Sequence, residues 1–131
     1  MIKDYSKLVT DEWDFGKDRV LAKQLRDLVL AGKKTATTDL YREGMKVPSA
    51  GDYAAILDSD GKRVCIVRYT EVEVKPFLEV DAAYARLEGE DYTDIEVWRD
   101  QHRQFFKTEY GPFDDSFKVV CERFELVQKV A

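Results

Sequence analysis

A turn rich in lysine and threonine carries the side chains best suited to chemistry. Its sequence is Gly32-Lys33-Lys34-Thr35-Ala36-Thr37-Thr38. Two ammonium groups and three hydroxyls, together with the backbone amides of a turn, can bind a polar ligand. The structural alternative is that the lysines stabilise the C-terminal end of a helix dipole and the threonines begin a strand.

A cluster of acidic residues stands at the end of a second predicted helix. Its sequence is Ala85-Arg86-Leu87-Glu88-Gly89-Glu90-Asp91. Carboxylates at this end oppose the helix dipole, unless a lysine across a cleft or a functional need for a raised pKa offsets the effect. A solvated acidic loop is the simpler alternative. Glu88 and Glu90 flank the same glycine, and the sequence does not choose between them.

The chain has one histidine, His102, which shares a helical stripe with Trp98, Phe105 and Phe106. Such a stripe is typical of a hydrophobic core, and the alternative is a cleft with a surface on which bases stack. As a general base His102 would need a partner.

Composition limits the class of protein. The chain has 131 residues, of which 44% are hydrophobic and 36% charged, so it fits one compact domain with a real core. Lys and Arg number 21 against 26 Asp and Glu, and the net charge of −5 excludes a basic nucleic-acid coat. Any contact with nucleic acid must therefore be local.

One histidine and two cysteines cannot form a usual four-ligand zinc site, so we expect neither a metal nor a cofactor. Cys65 and Cys121 lie in apolar runs and are expected to be buried, reduced thiols. The start of the chain lacks an apolar signal core, and no stretch approaches the ~18 apolar residues of a membrane span. We expect a cytoplasmic protein without a membrane partner.

Periodicity and turn residues predict the elements that position these groups. Apolar residues at helical spacing predict a helix from Asp18 to Ala31, ended by Gly32. A hairpin follows, with strands from Tyr53 to Leu57 and from Lys62 to about Lys75 around a turn at 58–61.

The second half of the chain is expected to hold two helices and a closing strand. A short helix spans 79–87, and a capping box of Thr93 and Glu96 begins a longer helix that Gly111-Pro112 ends. A strand from Phe117 to Leu126 follows, with a bulge near Arg123. The short hairpin connection favours an α+β fold in which an antiparallel barrel or curled sheet has flanking helices.

The order of several motifs resembles the ASCH domain family, from about Phe15 to Val127. The motifs are Leu30-Ala31-Gly32-Lys33-Lys34-Thr35-Ala36-Thr37, Pro48-Ser49-Ala50-Gly51-Asp52-Tyr53, Glu88-Gly89-Glu90, Trp98-Arg99-Asp100-Gln101-His102 and Val120-Cys121-Glu122-Arg123-Phe124. The resemblance implies a single domain over 1–131, a small antiparallel β-barrel of the PUA-like superfamily, and a cleft that carries the lysine motif.

Small bacterial members of this family are amidohydrolases that remove the acetyl group from N(4)-acetylcytidine. The resemblance implies three catalytic residues: Lys34 as base or activator, Thr37 as nucleophile and Glu88 as proton donor to the departing amine. This set needs no metal. The amidohydrolase members continue the motif with an apolar residue and an arginine, whereas Thr38-Asp39 follows here.

The alternative function is an RNA-binding module or a metal-independent ribonuclease, an activity proposed for a relative of the longer subfamily. Lysine and arginine would then contact phosphate, and tyrosine would stack on a base of single-stranded RNA. In either reading the substrate-binding residues are expected to be Lys33, Thr35, Tyr41, Arg42, Tyr53, Glu90 and His102.

The turn also leads to an expectation for stability. A lysine on an exposed turn contributes little to folding. Lys34→Ala is therefore expected to abolish activity with little change in the thermal midpoint.

Overall fold

The computed structural model describes residues 4–90 and 94–130. Its helices are α1 (Arg19–Leu30), α2 (Ala82–Leu87) and α3 (Ile95–Tyr110), and its strands are β1 (Val9–Trp13), β2 (Ala36–Leu40), β3 (Tyr53–Leu57), β4 (Arg63–Pro76) and β5 (Lys118–Lys129). Short 3-10 turns span Ser6–Leu8 and Phe77–Glu79. The α+β class and the central hairpin are confirmed.

The strands form one five-stranded sheet in the order β1-β3-β4-β5-β2. The long strands β4 and β5 pair antiparallel along most of their length, and β2 joins the outer edge of β5. A register shift between Tyr69 and Glu71 faces Phe124 and Arg123. The irregularity predicted near Arg123 is therefore present, and its extra residue lies on β4.

The predicted antiparallel barrel is only partly reproduced. Strand β1 pairs parallel with β3, and over the described residues the ladders form an open sheet with β1 and β2 at its edges. Strand β1 was not predicted from the sequence, because its central residues are Thr10, Asp11 and Glu12. A parallel pair needs a long crossover, and here α1 and β2 lie between the two strands.

Two hydrophobic clusters cover the sheet. The first joins β2 and β5 to α2 and α3 and includes Trp98, Phe77 and Phe106. The second joins the middle strands to α1 and includes Phe15 and Val29. The two cysteines are free and buried, as predicted, and burial raises the pKa of each thiol.

Capping residues explain where the helices begin and end. Asp18 accepts hydrogen bonds from the amides of Val20 and Leu21, and Gly32 follows α1 with φ of +76°. Asp94 caps α3 through the amide of Glu96. Thr93, predicted as the cap, lies outside the described residues. No helix in the described part of the chain is long and apolar enough to cross a membrane.

Candidate active site

The carboxylate of Glu88 is the centre of a buried polar cluster. It is 3% exposed and follows the last residue of α2. Lys34 Nζ donates a hydrogen bond to Oε1 (3.2 Å), while Trp98 Nε1 (2.6 Å) and Thr38 Oγ1 (3.1 Å) donate to Oε2. Three elements that are distant in the sequence thus meet at one carboxylate.

The lysine is held inside by a close approach of two backbones. The amides of Lys33 and Lys34 both donate to the carbonyl of Leu28 at the end of α1, and the amide of Thr35 donates to the carbonyl of Leu87 (2.8 Å). Lys34 is 3% exposed, so it is a buried partner of Glu88 rather than a residue of an exposed turn. Its ammonium also lies 5.6 Å from the centre of the Phe15 ring.

His102 faces the other side of Glu88. Its Nδ1 donates to the carbonyl of Trp98 (2.8 Å), and its Nε2 lies 3.3 Å from Glu88 Oε2. Its ring stacks on the Trp98 indole with centroids 3.9 Å apart. Both ring nitrogens therefore lie within hydrogen-bond distance of an oxygen atom, one from the backbone and one from Glu88.

These neighbours decide the charge of Glu88. Burial alone would raise its pKa, but the charges of His102 and Lys34 and the hydrogen bonds from His102 and Trp98 hold that pKa well below its usual range. Glu88 is therefore a carboxylate in the free protein.

A cavity of about 640 Å³ opens beside this cluster. Its volume is within the usual range for small-molecule sites. Leucines of α1, Phe15 and Phe105 supply its apolar lining, and Lys34, Glu88 and His102 are among its polar groups. The lining residues are Phe15, Leu21, Gln24, Leu25, Asp27, Leu28, Lys34, Thr37, Thr38, Glu88, Glu90, Gln101, His102 and Phe105.

A second cavity of about 600 Å³ lies along the other side of β2. It shares Phe15, Thr37, Thr38 and Phe105 with the first cavity. Alternation in β2 places Thr38 on the buried face with Ala36 and Leu40, and Thr37 on the opposite face. Both threonines lie where the two cavities adjoin and line both of them.

The structure brings half of the predicted site residues to the first cavity. Lys34, Thr37, Glu88, Glu90 and His102 line it. Arg42 lines the second cavity, where Asp39 and the carbonyl of Leu40 accept its hydrogen bonds.

The other four predicted residues line neither cavity. Lys33 and Tyr41 are exposed, and the hydroxyl of Thr35 points to the carbonyl of Leu87. Tyr53 stacks on Tyr5 at the β1 edge of the sheet. The alternation of buried and exposed positions around the motif separates these side chains from Lys34.

Two contacts of Glu88 were missed in the sequence. Thr38 directly follows the predicted nucleophile, and only the alternation of β2 shows that it turns toward Glu88. Trp98 was assigned to the core, and it is fully buried there, but its indole N–H also serves the carboxylate. Its spacing of four from His102 was the available signal.

Trp98→Phe is expected to lower the free energy of unfolding by about 1–3 kcal/mol, since a buried carboxylate oxygen loses a charge-assisted donor. Chemical denaturation would measure it. Phe106→Leu is a matched control, because it alters the same cluster without touching Glu88. Equal urea midpoints for Trp98→Phe and wild type would show that the hydrogen bond from Trp98 to Glu88 contributes little to stability.

Among the described residues, no group of three or more His, Cys, Asp or Glu side chains is arranged to hold a metal ion. The polar groups that line the first cavity are an ammonium, two hydroxyls, three carboxyl groups, an imidazole and two amides. They can transfer protons, donate hydrogen bonds and supply an oxygen nucleophile.

The family model of the ASCH domain matches residues 11–128, so the chain belongs to the ASCH domain family. A protein from Enterococcus faecalis of known structure is 34% identical, with 94% of this chain and 83% of that chain covered and a TM-score of 0.79. An ASCH domain from Lactobacillus crispatus is 27% identical, with 98% and 87% covered and a TM-score of 0.78.

A mutant ASCH protein from Zymomonas mobilis is 12% identical over 82% of this chain and 67% of that chain, with a TM-score of 0.54, and shares the fold. No curated protein matches the chain.

Proposed function

We propose that this ASCH domain is a metal-independent amidohydrolase that acts on an acylated cytosine nucleoside such as N(4)-acetylcytidine. The observation that carries the proposal is the buried pair of Lys34 and Glu88 in the lining of a largely apolar cavity that Thr37 also lines. An apolar wall with a few convergent polar groups suits a flat base. The proposed unit is one domain over 1–131.

Charge supports a nucleoside over an RNA chain. Tight binding of a phosphate chain depends on many basic contacts that release counterions. The second cavity, which continues the first past Thr37, has six acidic and two basic residues in its lining. A neutral nucleoside is not repelled by these acidic residues, whereas each phosphate of an RNA strand would be.

Thr37 is the proposed nucleophile. Its Oγ forms a bond to the acyl carbon as the bond from that carbon to the exocyclic nitrogen breaks, and water later hydrolyses the resulting ester. Lys34 activates the hydroxyl: it accepts the hydroxyl proton as it passes one of its own protons to Glu88 Oε1, 3.2 Å away. The lysine thus stays an ammonium, and the proton rests on Glu88.

This role for Glu88 revises the one that the resemblance implied. A group that is ionised at the start can donate only a proton that it first collects from the nucleophile, and the charges of His102 and Lys34 keep Glu88 ionised in the free protein. We therefore assign Glu88 as the acceptor that holds Lys34 in place. The carboxylate is a weak base, so the transfer must accompany formation of the Oγ–C bond.

Conversion of N(4)-acetylcytidine to cytidine by chelator-treated protein, followed by chromatography, tests the proposal. Thr37→Val is expected to lose about a thousandfold or more of the rate, because the nucleophilic oxygen is gone. Thr38→Val is expected to lose less, since it removes hydrogen bonds to Glu88 and to the Tyr84 hydroxyl but leaves the nucleophile in place. Thr70→Val, at an exposed position of β4, is the matched control and should keep the wild-type rate.

The result that contradicts the proposal is an inactive wild type, or an active Thr37→Val. The same samples then go to single-stranded RNA over a salt series. Binding that weakens steeply between low and physiological salt would favour the RNA alternative, because phosphate contacts have that signature.

A further inference from the structure

Glu122 is a second buried carboxyl beside Thr37. It lies on β5, is 7% exposed, and lines the second cavity. In the ladder of β2 and β5 it stands directly opposite Thr37. Side chains of directly opposed residues share a face, with Cβ atoms roughly 4.5–5.5 Å apart. The register thus places a carboxyl next to the proposed nucleophile.

The surroundings of Glu122 differ from those of Glu88. No ion pair found in residues 4–90 and 94–130 includes Glu122. The charged and titratable groups that face it or share its cavity come from every neighbouring element. They are Asp11, Glu12 and Asp14 around β1, Asp39, Arg42 and Lys46 on and after β2, Tyr69 on β4, and Glu109 and Tyr110 on α3.

Acidic neighbours dominate this environment. Burial first, and then the charges of Asp39 and Asp11, raise the pKa of Glu122 to about 8, while a hydrogen bond with Tyr69 acts in the opposite direction. Of the two cations that line the same cavity, Arg42 is engaged by Asp39 at 3.1 Å. At neutral pH Glu122 is therefore mostly a carboxylic acid, while Glu88 is a carboxylate.

We propose that Glu122 is the proton donor to the leaving nitrogen in the reaction that Thr37 begins. The inference rests on the proposed amidohydrolase function and assigns the step to the carboxyl that stands opposite Thr37 in the ladder, whereas Glu88 accepts a hydrogen bond from Thr38 on the other face of β2. Two titratable groups whose environments separate their protonation states are the usual signature of an acid and base pair. Here they lie on either side of one edge strand.

Protons balance over the two steps. In the first step the Thr37 oxygen bonds to the acyl carbon, its proton goes through Lys34 to Glu88, and the amine leaves with the proton of Glu122. In the second step water adds its oxygen to the acyl carbon and gives one proton to Glu122. The proton held on Glu88 returns through Lys34 to Thr37 as the ester bond breaks.

A comparison of leaving groups tests this role. An amine must gain a proton to leave, whereas para-nitrophenolate leaves without one. Glu122→Gln is therefore expected to lose about a hundredfold or more of the rate on N(4)-acetylcytidine. It should keep the rate of the first, single-turnover release of para-nitrophenolate from para-nitrophenyl acetate within about threefold, because Glu122 takes part only in the later hydrolysis of that acyl ester. Glu122→Asp, which retains a carboxyl, should recover part of the amide rate. Glu125→Gln, an exposed position of the same strand, is the matched control.

Each contrary outcome has a distinct meaning. If Glu122→Gln keeps the amide rate, or loses amide and ester rates equally, Glu122 is not the donor and the amidohydrolase proposal stands. If wild-type protein converts no N(4)-acetylcytidine, the proposed function fails and this inference fails with it.

Stability against pH provides a check that does not depend on activity. The pKa of Glu122 is raised from 4.5 to about 8, so the native state binds this proton more tightly than the unfolded chain does. Its stabilising effect is complete below about pH 4.5 and is lost as pH rises through about 8. The Tm of Glu122→Gln should match that of wild type in acid and exceed it at alkaline pH. A difference in Tm that does not change with pH would contradict the raised pKa of Glu122.

Discussion

Lys34→Met is expected to lower the free energy of unfolding by about 3 kcal/mol, the lower end of the range for removing one partner of a buried ion pair. Methionine keeps most of the volume but leaves Glu88 Oε1 without its ammonium partner, 3.2 Å away. His102, which still faces the carboxylate, keeps the loss from being larger. Urea denaturation measures the change, and activity is expected to vanish with it.

The matched control for Lys34→Met is Lys33→Met. The two lysines are adjacent and chemically identical, but Lys33 is exposed. Its replacement is expected to change stability by less than about 0.5 kcal/mol. Equal effects of the two substitutions would contradict the buried pair and would return Lys34 to the exposed turn that the sequence suggested.

Gly89→Ala is expected to cost about 2–5 kcal/mol, as the sum of backbone strain and steric overlap. Gly89 has φ of +85°, and a Cβ atom there would lie 2.9 Å from both the carbonyl oxygen of Lys33 and the amide nitrogen of Lys34. Neither backbone atom can move without displacing Lys34 from Glu88. Thermal denaturation and the N(4)-acetylcytidine assay should therefore both record a loss.

Gly61→Ala separates the two contributions. Gly61 has a similar φ of +81° in the hairpin turn, and no atom lies within 4 Å of its added Cβ. It should show only the strain of a left-handed alanine, about 1–2 kcal/mol, with full activity. If Gly89→Ala were no more harmful than Gly61→Ala, the close packing of the two backbones would be contradicted.

Local signals sufficed for elements whose ends and faces depend on nearby residues. Asp18 and Gly32 mark the ends of α1, and the turn between β3 and β4 lies where Asp58 and Gly61 predict it. Strand β1 could not be found in this way. Its acidic residues are accommodated by a parallel partner more than 40 positions later, and that pairing has no local signature.

In the candidate site, too, the motif residues could be predicted from the sequence, whereas properties that depend on distant contacts could not. The motif identified Lys34, Thr37 and Glu88, and all three line one cavity. The charge of Glu88 was not predictable, because its pKa depends on His102, Lys34 and Trp98 being folded against the carboxylate. Glu122 was not predicted as a site residue, although it belongs to one of the family motifs. Its proximity to Thr37 follows from the register of β2 and β5 alone.

The position of β2 affects how the site forms and how it is lost. This short strand pairs with β5 on one side only, while β4 and β5 form the long central ladder. Edge elements with few partners open at lower free energy than the middle of a sheet. Lys34 and Glu88, 54 positions apart, can meet only after distant segments have already come together, a late event in folding. A fluctuation that frees β2 would separate the threonines from both carboxyls while leaving the rest of the sheet intact.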